Sequence, residues 1–166
     1  MSPKSHEYPK QDHPDKAHIE KRMEKFFEAY KAKDAEALAN FFHPEKFAYS
    51  AFMHALQPGL GHKGLKKDDA KQVFARIFDD YHDDMEITSR SIHGHRGFSV
   101  WEWTITCRPK KCVKTGKRLS KEEAPHKRLL GCSLMWWDGD DRIVRNHDYS
   151  QMLDVSDPFL DLEIPS

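Results

Sequence analysis

The sequence lacks an excess of charge, a long apolar run and a set of paired cysteines. Lys and Arg together number 27, as do Asp and Glu, so the formal net charge is zero and nothing attracts the whole chain to nucleic acid or an anionic membrane. No apolar run is long enough to span a bilayer, and the first residues lack the apolar segment of a signal peptide. These absences predict a cytoplasmic protein whose partners include neither nucleic acid nor a membrane.

Metal and cofactor motifs are also missing from the sequence. The three cysteines are an odd number, and Cys107 and Cys112 lack the Cys-x-x-Cys spacing of a zinc site. His93 and His95 lie close together in the sequence, but no four-ligand set accompanies them. P-loop, Rossmann and nucleophile-elbow patterns are absent as well. We therefore expect reduced thiols, no metal and no cofactor.

A basic stretch at residues 108–128 is the strongest local charge feature. Such a run can contact phosphates, but Glu122 and Glu123 interrupt it and no aromatic residues are interleaved with the basic ones. A solvated loop is the simpler interpretation. Its expected place between two strands, near a rim of the fold, leaves open a role as a lid.

The chain contains enough large apolar residues to form the core of one domain. Its 166 residues include ten Phe, five Tyr and four Trp. Apolar residues recur at helical spacing over residues 16–32 and again from Val73 to Tyr81. Between them, Asp34 is a suitable N-cap for a short helix that Pro44 ends.

Strand patterns dominate the second half of the chain. Four strands are predicted there, at residues 86–92, 98–107, 129–137 and 142–151. An extended segment at residues 47–53 precedes them. Glycine and proline make residues 57–64 a predicted loop. Helices segregated from consecutive antiparallel strands predict an α+β fold. A curved sheet over three helices can leave a cavity that suits a small apolar ligand.

The two ends of the chain differ in composition from its middle. Residues 1–15 are polar and contain three prolines, which predicts a flexible arm. Residues 154–166 form an acidic tail. The folded domain is therefore expected to span residues 16–153.

Three stretches occur in an order and at a spacing that match a known family. They are Gly61-His62-Lys63-Gly64 before the third helix, Val100-Trp101-Glu102-Trp103-Thr104 in a predicted strand, and Asp141 to Tyr149 in the last strand. They resemble the Gly-x-x-Gly loop, the Glu-Trp strand and the Asp-Tyr strand of the SnoaL-like polyketide cyclase family, a branch of the nuclear transport factor 2-like superfamily. The resemblance extends over residues 19–153.

This resemblance implies a cone-shaped α+β barrel in which three N-terminal helices pack on a curved antiparallel sheet. It further implies a homodimer through the outer face of the sheet and a small hydrophobic substrate, processed without a metal or cofactor. Members of the family include cyclases, epoxide hydrolases, dehydratases, isomerases and many proteins of unknown role. The fold alone therefore does not determine the activity.

Asp148 is the first catalytic candidate that the resemblance implies. It aligns with the inward-facing acid–base aspartate of the related epoxide hydrolases and polyketide cyclases. Alternation along the strand places every second residue on its face, namely Val144, Asn146 and Ser150. The residues between them would face solvent or a dimer partner. A surface aspartate paired with an arginine is the alternative interpretation.

His54 is the second catalytic candidate. The segment Phe52-Met53-His54 aligns with a Tyr-x-Asn pair that positions water in the epoxide hydrolases. An imidazole that faces a carboxylate across a pocket makes a tunable acid–base pair, so His54 is expected to be the partner of Asp148. A structural histidine satisfied by the backbone is an equally good interpretation.

The predicted pocket wall is apolar and aromatic. Where the epoxide hydrolases have an inward Arg-x-Asp, this sequence has Trp103 and Ile105, so the charged pair that opens an epoxide is missing. The expected substrate-binding residues are Tyr30, Tyr49, Phe52, Trp101, Trp103, Ile105, Met135 and Asn146. The alternative is that some of these aromatic residues simply fill the core.

These residues together suggest a cofactor-independent acid–base enzyme. It would be an isomerase, cyclase or dehydratase for a small hydrophobic carbonyl-bearing metabolite, such as a polyketide or terpenoid intermediate. Asp148 would move the proton with His54 as its partner, while Asn146 and Tyr49 would orient oxygen atoms. The alternative is a non-catalytic ligand-binding or adaptor domain of the same fold, and a hydrolase is a third option.

Overall fold

A computed structural model describes residues 14–54 and 61–154, with the backbone alone at residues 53, 54, 61, 62 and 154. The helices are α1 (Lys16–Lys31), α2 (Ala35–Ala39) and α3 (Lys67–Asp80). The strands are β1 (Ala48–His54), β2 (Gly61–Leu65), β3 (Glu86–His95), β4 (Phe98–Cys107), β5 (Lys127–Trp137) and β6 (Ile143–Asp154). No helix within these ranges is long and apolar enough to cross a membrane.

The strands form one curved, open sheet in the order β2-β1-β6-β5-β4-β3. All neighbours are antiparallel except β1 and β6, which pair in parallel because the chain crosses over to bring its last strand beside its first. The helices pack on this sheet through a shared core of buried side chains. This arrangement confirms the predicted α+β fold.

The core is built largely from aromatic side chains on α1 and β4. Ile19, Met23, Phe26 and Tyr30 recur at three- and four-residue spacing, so they form one buried stripe of α1. Phe26 meets the ring of Trp101 edge-on, with ring centroids 5.8 Å apart. Burying one such side chain contributes about 1.5–3 kcal/mol, so this stripe is what attaches α1 to the sheet.

The predicted cap of α2 is confirmed, but the helix is shorter than expected. The Ala37 amide donates to Asp34 Oδ1 over 2.9 Å, which satisfies one of the open donors of the first turn. The helix ends at Ala39 instead of continuing to Pro44. Phe42 lies beyond the helix and bridges Ile143 at the start of β6, because burial against the sheet outweighs helical propensity there.

Residues 61–64 were predicted to lie in a loop, and this prediction is wrong. They belong to β2, which pairs with β1; the Gly64 amide also donates to Ser50 Oγ over 3.0 Å. Glycine content indicates turns, but a free strand edge offers backbone partners to any chain that can approach it. The remainder of the predicted loop that precedes Gly61 lies outside the described residues.

The basic stretch lies across the end of α3 and the start of β3. Lys110 Nζ donates to the Asp79 carbonyl over 2.7 Å, where it complements the negative end of the helix dipole. Lys121 pairs with Asp83 over 2.8 Å, and Arg108 Nε pairs with Asp84 over 3.0 Å. Two of the basic side chains in this segment are thus paired with neighbouring acidic residues. Its suggested role as a lid stays a prediction.

Candidate active site

Asp148 lies in the middle of β6, between β5 and β1. It pairs with Ser133 of β5 and with Ala51 of β1. The Tyr49 hydroxyl donates to Asp148 Oδ2 over 2.9 Å, and Tyr49 itself is only 3 % exposed. The ring of Tyr49 also contacts Phe74 of α3, so this carboxylate faces the helix-covered side of the sheet.

Two further side chains reach the same carboxylate. Ser133 lies opposite Asp148 on β5 and Asn146 lies two residues before it on β6, and both are almost fully buried. Hydrogen bonding from each of them lowers the pKa of Asp148. Trp103 of β4 in turn donates from Nε1 to Ser133 Oγ over 2.9 Å. We call Tyr49, Ser133, Asn146 and Asp148 the Asp148 cluster.

Burial raises the pKa of Asp148 to about 6, although the hydrogen bonds from Ser133, Tyr49 and Asn146 act in the opposite direction. Burial is the larger influence because the carboxylate has few water molecules to solvate its charge. A pKa near the working pH allows one group to accept and return a proton efficiently. The site therefore holds a carboxylate that is suited to acid–base chemistry.

Two oxygen atoms of the Asp148 cluster are buried without a hydrogen-bond donor. They are Oδ1 of Asp148 and Oδ1 of Asn146, and neither accepts a bond from any residue that the structure describes. Buried polar atoms in proteins are nearly always paired, so such oxygens need an explanation. A bound ligand that supplies hydrogen-bond donors is one.

The expected wall residues of β4 lie on one face of the strand. Trp101, Trp103 and Ile105 are buried, whereas Glu102 between them is exposed. Met135 on β5 and Tyr30 on α1 are buried as well. Burial first, and the charge of Asp148 second, raise the pKa of the Tyr30 hydroxyl. Whether these residues hold a substrate stays a prediction.

Phe52 does not lie with the Asp148 cluster, contrary to its predicted place in the pocket wall. It is 44 % exposed and stacks on Tyr149, with ring centroids 4.9 Å apart. The reason is strand alternation: Tyr49 and Phe52 are three positions apart on β1, so they lie on opposite faces of the sheet.

His54 lies at the end of β1, where it pairs with Gln151. It is three positions beyond Ala51, the partner of Asp148, and a strand rises about 3.3 Å per residue, so its backbone is about 10 Å further along β1. The structure describes no side chain at residue 54. Its partnership with Asp148 therefore stays a prediction.

Alternation along β6 predicted Val144 on the inner face, and the structure corrects this detail. Trp136 pairs with Arg145, but Trp137 pairs with Ile143, so Val144 is an extra residue in an irregularity of the ladder. Ile143 is fully buried instead. Because of this extra residue, Ile143 and not Val144 faces inward at the start of β6. Asn146 and Asp148 still lie on the predicted inner face.

Ser133 is the functional candidate that sequence reasoning missed. It occupies an inward position of β5, in line with Leu129, Met135 and Trp137, which are all apolar and buried. A polar residue in an otherwise apolar inward series is a usable sequence signal, because burying a hydroxyl requires a partner. The hydroxyl of Ser133 accepts a hydrogen bond from Trp103 and lies opposite Asp148.

Comparison with solved structures defines the class of fold. A protein from Shewanella denitrificans assigned to the SnoaL-like polyketide cyclases matches with a TM-score of 0.58 and 10 % identity, over 80 % of this chain and 90 % of that one. An LEH-like epoxide hydrolase from M. tuberculosis matches with a TM-score of 0.54 and 13 % identity, over 81 % and 83 %. At these identities the likeness shows the nuclear transport factor 2-like fold and no more.

Comparison of sequences narrows the class to a family. No family model matches the chain. The cyclase aurE of Calcarisporium arbuscula is 30 % identical over 133 residues, which are 80 % of this chain and 86 % of that protein. The chain therefore belongs to the SnoaL-like polyketide cyclase family. This relationship supports an enzyme of the cyclase or isomerase kind.

Proposed function

We propose that the protein is a cofactor-independent cyclase or isomerase for a small hydrophobic carbonyl-bearing metabolite, such as a polyketide or terpenoid intermediate. The observation that carries the proposal is the buried Asp148 carboxylate, held by Tyr49 and leaving Oδ1 without a partner among the described residues. The cyclase aurE, as a relative of this chain, supports the reaction type.

In this proposal Asp148 Oδ1 removes a proton from the carbon next to the substrate carbonyl. Tyr49 holds Oδ2, so the two oxygens have separate tasks: one is fixed and the other reacts. The carbonyl oxygen gains negative charge as the proton leaves and needs a neutral donor. Burial raises the pKa of Tyr30, which keeps its hydroxyl protonated beside Asp148, so Tyr30 is the proposed donor.

The second unpaired oxygen indicates what else the substrate carries. Asn146 is 1 % exposed, its hydrogen bonding lowers the pKa of Asp148, and its Oδ1 accepts nothing within the described part of the chain. A buried acceptor left unpaired costs about 1–3 kcal/mol, which a ligand hydroxyl would recover. The proposed substrate therefore bears a hydroxyl or enol hydrogen near its reacting carbonyl. His54 remains the proposed partner for the proton.

Exchange of the carbon-bound hydrogens of 2-tetralone in D₂O, followed by NMR, tests the proposal without knowledge of the natural substrate. The parent protein should accelerate exchange, and Asp148→Asn should lose about 10²–10⁴-fold of the acceleration, the usual contribution of a general base. Asp140→Asn is the matched control, since it changes an exposed carboxylate in the same hairpin. His54→Ala should show a partial loss.

Two results would contradict the enzyme proposal. One is equal acceleration by the parent and by Asp148→Asn, which would remove Asp148 from the reaction. The other is saturable binding of 2-tetralone without any acceleration of exchange. That outcome would favour a non-catalytic binding domain of the same fold.

A further inference from the structure

Two buried serines in the sheet accept a hydrogen bond from a tryptophan. Trp103 Nε1 donates to Ser133 Oγ over 2.9 Å, and Trp137 Nε1 donates to Ser99 Oγ over 2.8 Å. An indole N–H can only donate, so in both pairs it occupies a lone pair of the hydroxyl oxygen. The single hydroxyl hydrogen of each serine is then directed to another acceptor.

The two serines differ in where that hydrogen goes. The Ser99 hydroxyl donates to the sulfur of Met23 over 3.7 Å, inside the apolar core. Ser133 pairs directly with Asp148 across β5 and β6, so its hydroxyl lies beside that carboxyl group, and its hydrogen bonding lowers the pKa of Asp148. The Trp137–Ser99 pair therefore contributes to core packing alone, whereas the Trp103–Ser133 pair lies next to an ionisable group.

Gly131 makes room for the Trp103 ring. A Cβ atom at position 131 would lie 2.2 Å from Cη2 and Cζ2 of that ring, far inside van der Waals contact. Gly131 pairs with Trp103 across β4 and β5 and stands two residues before Ser133, so both lie on one face of β5. The absent side chain lets the indole cross the strand and reach the serine hydroxyl.

We propose that Trp103 and Ser133 are positioning residues that hold the Asp148 carboxylate in its reactive orientation, with Gly131 supplying the space. Trp103 acts on Asp148 only through Ser133, and neither residue is proposed to touch the reacting atoms. The consequence for catalysis rests on the proposed function. The contact itself can be tested on the free protein.

The other titratable groups around Asp148 do not interfere with such a test. Among the described residues, His147 is adjacent to Asp148 on β6 but lies on the outer face, and the other three are Tyr49 on β1, Tyr30 on α1 and Cys132 on β5. Burial is the leading cause that raises the pKa of all three above its ordinary value, so they stay neutral while Asp148 titrates near pH 6. The pKa of His147 responds to burial and to Arg145 and not to Asp148. The part of the change in the Asp148 signal between pH 4 and 8 that persists in His147→Gln and in His54→Ala therefore reports on Asp148.

The experiment follows the Asp148 carboxyl carbon by ¹³C NMR as a function of pH in full-length protein without ligand, its resonance assigned from its loss in Asp148→Asn. Ser133→Ala removes a donor to the charged form, so the pKa should rise by about one pH unit. Trp103→Phe frees the Ser133 hydroxyl to turn away and should shift the pKa in the same direction by less. Ser99→Ala and Trp137→Phe delete the matched buried pair and should leave it unchanged.

The 2-tetralone exchange assay on the same variants separates the two proposals. In Ser133→Ala, the pH at which exchange is half-maximal should rise together with the pKa of Asp148. If Ser133→Ala and Trp103→Phe shift the Asp148 titration no more than the Ser99 and Trp137 variants do, the positioning role is wrong, even if Asp148→Asn abolishes exchange. If the titration shifts while no variant or parent accelerates exchange, the positioning contact stands and the proposed function fails.

Discussion

At the scale of single residues, the protein holds the Asp148 carboxylate in a buried position, where its ionisation lowers the stability of the fold. Burial raises the pKa of Asp148 from 3.8 to about 6, which corresponds to about 3 kcal/mol of lost stability once the group is fully ionised. The folded protein binds this proton more tightly than the unfolded chain does. The penalty is therefore absent below about pH 4 and grows until about pH 6. Such placement is typical of groups retained for function.

Asp148→Asn should remove this dependence on pH. In the parent, Asp148 makes the free energy of unfolding decrease between about pH 4 and pH 6. The variant lacks the titrating group, so this contribution to the decrease should be absent. At pH 8 the variant should exceed the parent in stability by up to about 3 kcal/mol, because the amide is buried without a charge. Urea denaturation at pH 4, 6 and 8 measures this.

Asp140→Asn serves again as the control and should follow the parent at every pH. A lower stability of Asp148→Asn than of the parent at pH 8 would show that the hydrogen bonds to the ionised carboxylate outweigh its burial. The expected combination is a variant that is more stable and inactive. That exchange of stability for activity is common at functional sites.

At the scale of elements, the pairing of β5 with β6 brings the site together. Register places Ser133 opposite Asp148 and Met135 opposite Asn146, so a one-residue slip would turn these groups to the other face. The adjacent pairing of β4 with β5 sets Trp103 against Gly131. The Trp103 ring can thus occupy its position only because Gly131 on the next strand has no side chain.

Gly131→Ala should destabilise the protein by about 1–3 kcal/mol, the usual cost of overpacking a tight core, because the new methyl group collides with the Trp103 ring. Gly139→Ala is the matched control, since nothing lies within 4 Å of a Cβ atom there. It should change stability by less than about 0.5 kcal/mol. The urea midpoints of both variants measure the difference, and equal midpoints would mean that the ring moves aside freely.

At the scale of the whole molecule, the sheet presents two unlike faces. The inner face carries the Asp148 cluster within an aromatic core. The outer face carries a group of aromatic side chains in mutual contact, which we call the outer aromatic cluster: Phe52, Phe98, Trp136, His147 and Tyr149. Phe52 and Tyr149 are more than 40 % exposed. Exposed apolar clusters of this kind mark interaction surfaces.

We propose that the outer aromatic cluster joins two copies of the chain into a homodimer. Phe52→Asp places a charge in its exposed part and should shift the protein towards a monomer, as measured by light scattering after size-exclusion chromatography. Val113→Asp is the matched control, because Val113 is 67 % exposed but lies in the loop between β4 and β5. A parent that is monomeric at high micromolar concentration would contradict the proposal.

Several features of the fold could be predicted from the sequence because they depend on neighbours along the chain. The stripe from Ile19 to Tyr30, the Asp34 cap and the alternation of Trp101, Glu102 and Trp103 all follow from local periodicity. Strand β2 was missed, since it forms through pairing with an edge that local composition does not reveal. The site was foreseen only in part: the place of Asp148 came from family resemblance, and Phe52 was assigned to the wrong face.

What the sequence by itself determined is the class of the protein: three helices, a mostly antiparallel sheet, and a last strand that carries Asp148. What only the tertiary structure decided is which groups surround that aspartate, either directly or, for Trp103, through Ser133. Tyr49, Trp103 and Ser133 come from three different strands, and their contacts depend on register and on the space left at position 131. The physical reason is that the proton affinity of a carboxylate depends on burial and on donors within a few ångströms, and both are properties of packing between distant segments.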